Sequence, residues 1–194
     1  AHADASLGDP DTAKYLWGVG LHWYVSNDFA ASSRVHAKYP DKALLFTEGC
    51  WEGGKNLGSW EHGEGYARQM MGDFSNWVGG YIDWNIVLDE RGGPNHVGNF
   101  CDAPVIVDTR TKEVRYGPSF FYIAHFSKYV KPGAHRIAAT GGPASLETVA
   151  FANPDGSLAV VVLNRTDAAV SFSLALGGEA RACTVPAHAI QTYL

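Results

Sequence analysis

The stretch Ala43-Leu44-Leu45-Phe46-Thr47-Glu48-Gly49-Cys50 limits the fold more than any other, because apolar residues run straight into one carboxylate and then a glycine. Continuous apolar runs mark parallel strands covered on both faces, and in barrels of such strands the reacting groups stand at the carboxyl ends. Glu48 is therefore the candidate catalytic group. A capping or salt-bridged glutamate in a tight strand-to-loop turn gives the same pattern, and this stretch alone leaves both readings open.

The flanking chain repeats a strand-helix unit. Asp9-Pro10 has the form of an N-cap followed by a first-turn proline, predicting a short helix to Leu16 that Gly18 ends. A strand follows over residues 19–24, then a helix capped by Ser26 or Asn27 that reaches about Tyr39 and is closed by Pro40. After the strand ending at Glu48, Ser59 is expected to cap a longer helix in which Tyr66, Met70, Met71, Phe74, Trp77 and Val78 recur at helical spacing. Residues 80–85 read as a third strand and 88–116 as a long irregular segment, of the length that usually carries function. Pro118 opens the next helix, which Pro132-Gly133 stops.

Past Gly133 no helix interrupts. Residues 136–140, 147–153, 158–163, 170–176, 181–185 and 190–193 read as strands joined by Gly, Pro, Asn and Asp turns, with polar Ser171 and Ser173 alternating against apolar neighbours. The expected fold class is thus α/β plus all-β, with part of a (β/α) barrel over residues 1–131 and an antiparallel β-sandwich over 132–194. Three strand-helix units do not close an eight-stranded barrel, so the remaining strands are expected on a preceding segment or another chain that covers the open sheet edges.

Composition narrows the chemistry. A net charge of −5, with no run of basic residues, offers nothing to nucleic acid or an anionic membrane surface. No apolar run approaches the roughly 18 residues of a membrane-spanning helix, and the first residues lack a signal-peptide pattern. Cys50, Cys101 and Cys183 are too dispersed for a disulfide framework, and no His/Cys spacing suits zinc, so no metal or cofactor is expected. Cys50 is expected to be a packed free thiol. His62-Gly63-Glu64 lacks the Pro-Cys-x-x-Cys of zinc deaminases, and Gly18-x-Gly20 lacks the third glycine of a dinucleotide loop. Glu52, Glu61, Glu64, Asp89 and Glu90 are expected to be solvated or structural, with Asp83 set apart because it precedes Trp84 and could orient a site residue. Asn164-Arg165-Thr166 satisfies the glycosylation sequon, but a polar turn between strands explains it equally well.

Seven pieces follow one another in order: His22-Trp23-Tyr24, Leu45-Phe46-Thr47-Glu48-Gly49-Cys50, Asp83-Trp84-Asn85, Gly92-Gly93-Pro94-Asn95, Asn99-Phe100, His125-Phe126-Ser127-Lys128 and Thr192-Tyr193-Leu194. In these the chain resembles the C-terminal portion of glycoside hydrolase family thirty, the glucosylceramidases with their bacterial β-glucosidase and β-1,6-glucanase relatives. The resemblance implies a retaining glycosidase in which Glu48 matches the nucleophile at the end of barrel strand seven. It also places Tyr24 beside the carboxylates, Trp84 and Asn99 on the glycone sugar, and His22 in the same pocket.

The family's acid/base glutamate has no counterpart here, so the isolated chain is expected to be inactive or nearly so. The implied partners are a β-glucoside, glycolipid or oligosaccharide, and the implied setting is extracytoplasmic. β-1,6-Glucanase or another β-glycosidase activity is the alternative within the family. The alternative from a different class is a non-catalytic carbohydrate-binding or assembly module, in which residues after Gly133 bind saccharide and the earlier part is a structural remnant.

Overall fold

The apolar run ending at Glu48 forms a parallel strand, as expected. The computed structural model describes residues 2–52 and 54–194. Two short helices open the chain, α1 (His2–Leu7) and α2 (Pro10–Ala13). Only the second was expected; the Asp9 side chain accepts from Asp11 N and, at 2.7 Å, from the Thr12 hydroxyl.

Strand β1 (Gly18–His22), helix α3 (Ala30–Lys38) and strand β2 (Ala43–Glu48) make one strand-helix-strand unit. The two strands pair in parallel from Gly18↔Ala43 to Leu21↔Phe46, and a register shift then sets His22 opposite Glu48. Helix α3 begins later than expected, because the Ser26 hydroxyl accepts from Asp28 N and closes a turn ahead of the helix instead of capping it.

The third expected strand is reduced to a bridge between Phe46 and Tyr81. Three main-chain hydrogen bonds hold it: Gly79 N to Leu44 O, Phe46 N to Gly80 O, and Ile82 N to Phe46 O. Beyond Ile82 the chain leaves the ladder, because Trp84 N reaches past the end of β2 to Gly49 O. The barrel segment is therefore a curved ribbon of parallel chain with Leu44, Phe46 and Val78 buried behind it.

Helix α4 (Trp60–Ser75) carries the first part of the predicted apolar face, with Tyr66, Ala67, Met70 and Met71 buried, but it ends before Trp77 and Val78; Val78 is buried beyond the helix, whereas Trp77, at positive φ, is exposed. Ser59 occupies its N-cap position, yet the hydroxyl caps nothing. The segment expected to be irregular contains a small sheet of β3 (Val87–Asp89), β4 (Val105–Val107) and β5 (Val114–Tyr116), ordered β3-β4-β5. Strands of three residues are too short to show a period. Helix α5 (Pro118–Ser127) starts at its first-turn proline and lies against α4, close enough that a Cβ on Gly63 would sit 2.6 Å from Tyr122 Cδ2.

The remaining strands are β6 (His135–Ile137), β7 (Leu146–Ala152), β8 (Leu158–Asn164), β9 (Val170–Leu176), β10 (Glu179–Val185) and β11 (Ala189–Tyr193). Four form an antiparallel sheet ordered β11-β8-β7-β6, and β9 with β10 forms a separate hairpin. One face of the four-stranded sheet joins the helices: Val149, Phe151, Val161 and Leu163 share a core with Ala67, Met70, Met71, Tyr122 and Phe126. At 25 cal/mol per Å², burying such side chains contributes roughly 1.5–3 kcal/mol each, so this junction is a major source of stability. The opposite face looks across a cleft of about 300 Å³ toward Phe172 and Leu174.

Asn164 is fully buried; its amide donates to Ala168 O and Pro186 O, and its oxygen accepts from Thr166 N. The sequon is thus a structural turn, closed to a glycan in this fold.

Candidate functional site

Glu48 stands where β2 ends, and its side chain keeps 28% of its surface open. Gly49 follows because nothing larger fits: a Cβ there would lie 2.8 Å from the Phe46 ring and 3.1 Å from Trp23. The turn therefore sets Glu48 directly before an obligatory glycine that packs on the buried Phe46 ring.

Two groups from the end of β1 reach it. The Tyr24 hydroxyl donates to Glu48 Oε1 at 3.3 Å, and His22 Nδ1 lies 3.8 Å from the same oxygen. The alternation that exposes His22 and Tyr24 turns Trp23 inward, where its ring meets Phe46, Trp51 and Tyr66. Burial, with the Cys50 thiol and the Glu48 carboxylate adding to it, raises the Tyr24 pKa, so the phenol keeps its proton and serves as a donor.

Cys50 is a buried free thiol, as expected, with Cys101 Sγ at 3.0 Å and the Tyr24 oxygen at 3.6 Å. Burial pushes its pKa up to about 12, and the Cys101 thiol adds to the shift. Such a thiol is a packing group rather than a nucleophile.

Trp84 is half exposed beside Gly49. Asp83 is turned the other way: both carboxylate oxygens are buried, and burial pushes its pKa up to about 6 while the Trp84 amide and the Tyr66 hydroxyl pull it down. A carboxyl with no access to solvent has no access to a sugar, so Asp83 does not touch a ligand in this structure.

Asn99 donates from Nδ2 to Glu52 Oε1 at 2.9 Å. Glu52, expected to be solvated or structural, is tied to a candidate sugar contact. Tyr24, Cys50 and Glu52 border one opening of about 360 Å³. Sequence reasoning also missed the buried His62–Asp102 pair, joined at 2.6 Å with the Trp51 ring stacked on the imidazole. Forty residues separate the two, and no local pattern announces such a contact. Among the described residues no three His, Cys, Asp or Glu side chains converge as metal ligands, and no helix is long and apolar enough to cross a membrane.

A carboxylate at the carboxyl end of a parallel barrel strand, flanked by a phenol donor and an exposed tryptophan, with a β-sandwich packed on the barrel helices, is the architecture of a barrel glycosidase. Residues 1–130 match the glycosyl hydrolase family 30 TIM-barrel domain and residues 133–193 the glycosyl hydrolase family 30 beta sandwich domain. The chain belongs to glycosyl hydrolase family 30.

It is 38% identical to lysosomal acid glucosylceramidase of Mus musculus, over 99% of this chain and 39% of that protein. It is 41% identical to putative glucosylceramidase 4 of Caenorhabditis elegans, over 88% of this chain and 34% of that protein. Among solved structures, SrfJ from Salmonella typhimurium superposes with a TM-score of 0.92 at 36% identity, over 98% of this chain and 43% of that one. The endo-beta1,6-glucanase BT3312 gives 0.87 at 30% identity, over 96% and 42%. The chain spans 34–43% of the length of these relatives.

Proposed function

We propose that this chain supplies the nucleophile and part of the glycone pocket of a retaining β-glycosidase acting on β-glucosides, with a glucosylceramide-like glycolipid as the favoured class. The observation that carries the reading is the partly open Glu48 carboxylate at the end of β2, with the Tyr24 hydroxyl on Oε1. Glucosylceramidases at 38–41% identity support the substrate class.

In this reading Glu48 attacks the anomeric carbon, and the glycosidic C–O bond breaks as the ester to Glu48 forms. An acid supplied outside this stretch protonates the departing oxygen, then takes a proton from the water that cleaves the ester. Retaining pairs stand about 5–5.5 Å apart. Neither nearby carboxylate fits the second role, since Asp83 is buried and Glu52 is committed to Asn99. Trp84 packs on the apolar face of the sugar, Asn99 bonds a hydroxyl, and His22 lines the rim.

The test is hydrolysis of an aryl β-glucoside by the chain alone and by the chain joined to the N-terminal barrel half of a family relative. The expected result is no turnover alone, turnover when joined, and loss of it in Glu48→Gln. A 2-fluoroglucoside that labels another residue, or turnover by the chain alone that Glu48→Gln abolishes, overturns the division of labour.

A further inference from the structure

We infer that Glu52 is a positioning residue that fixes which end of the Asn99 amide is offered to the sugar, and so sets hydroxyl selectivity. The inference rests on the reading of Asn99 as a glycone contact.

An asparagine amide is nearly symmetric in shape but not in chemistry: one end donates two hydrogens and the other only accepts. Left free, it presents either. An ionised carboxylate accepts only, so Glu52 Oε1, 2.9 Å from Asn99 Nδ2, holds the donor end. Glu52 takes one of the two Nδ2 hydrogens and fixes the flip state, and Oδ1, which bonds no partner among the described residues, accepts from a hydroxyl.

The arrangement is built on both sides. Asn99 N donates to Asn95 Oδ1 at 3.0 Å, and Asn95 Nδ2 returns a bond to Asn99 O, so the backbone of the loop is fixed and the side-chain torsions remain for Glu52 to fix. Glu52 is anchored in turn by its bridge to Cys101 and by the Gly54 N bond to Phe100 O. It lies four residues beyond Glu48, on the loop that follows β2. Glu52 need not touch the sugar to act; it acts through Asn99.

A hydroxyl that donates to Oδ1 is then required, and replacing it by hydrogen or fluorine removes the donor. Binding of methyl β-glucoside and its 3-, 4- and 6-deoxy and deoxyfluoro analogues to the chain, followed by NMR titration, tests this. One position is expected to lose roughly tenfold in affinity in the parent, as for a hydrogen bond in a partly dry site. Glu52→Ala should shrink that selectivity to near parity. Glu52→Gln keeps an acceptor for Nδ2 and should preserve most of it. In an Asn99→Ala background Glu52→Ala should have no further effect.

Unchanged selectivity in Glu52→Ala, or an equal loss with and without Asn99, overturns the inference while leaving the pocket intact. If methyl β-glucoside perturbs no resonance of Glu48, Trp84 or Asn99, the pocket reading itself falls, and this inference with it.

Discussion

The Tyr24 hydroxyl lies 3.3 Å from Glu48 Oε1 and donates to it, although the two residues belong to neighbouring parallel strands and the tyrosine lies beyond the end of its own. The register shift at His22 makes this reach possible. Tyr24→Phe removes the donor and leaves the ring. In the chain joined to a complementary barrel half, kcat/KM for an aryl β-glucoside should fall about tenfold or more, as for a charge-assisted hydrogen bond.

His188 bridges Glu64 on α4 and Asp167 in the turn after β8, at 2.9 Å to each. Its carbonyl also accepts from Trp60 Nε1 and the Tyr122 hydroxyl. The carboxylates, Asp167 foremost, raise the imidazole pKa above its ordinary value. A raised folded-state pKa gives stability that is fully present below the unfolded value of about 6.5 and fades as pH rises through the folded one. His188→Gln should therefore lower Tm more at pH 5.5 than at pH 8, read by thermal melts.

Asp83 should behave in the opposite sense to a salt-bridged carboxylate. Its pKa rises from 3.8 to about 6 on folding, so its contribution is greatest in acid and is lost as pH climbs through that interval. Asp83→Asn keeps the size and removes the charge. Urea unfolding of the chain should show little change at pH 4 and a gain on the order of 2 kcal/mol at pH 7.5.

Gly63 lets α4 and α5 approach: a methyl there meets Tyr122 Cδ2 at 2.6 Å. Alanine is the better helix former, yet Gly63→Ala should destabilise the chain by about 2 kcal/mol, because Tyr122 is buried and has nowhere to move. Denaturant unfolding measures it.

Long periodic elements were legible from the residues. The Glu48 strand, the apolar stripe of α4 as far as Phe74, the Pro118 start of α5 and the meander of strands fell where spacing and turn chemistry placed them, whereas Trp77, counted on that stripe, lies exposed past the helix end. What escaped notice was set by distant partners. The three-residue strands β3 to β5 exist by pairing with one another, and the expected third barrel strand shrank because Trp84 bonds to Gly49 instead of continuing the ladder. The site divides along the same line. Glu48 announced itself as a carboxylate after an apolar run, whereas the tie of Glu52 to Asn99 spans 47 residues and exists only in three dimensions.

The buried cluster joining α4 and α5 to β7 and β8 draws on both sides of Pro132-Gly133. Shuffling at that proline would cut through a shared interior: a barrel half grafted onto a foreign sandwich exposes Met70, Met71 and Phe126, and a sandwich freed of its helices exposes Val149, Phe151 and Leu163. The two regions are therefore expected to be inherited, and to unfold, as one.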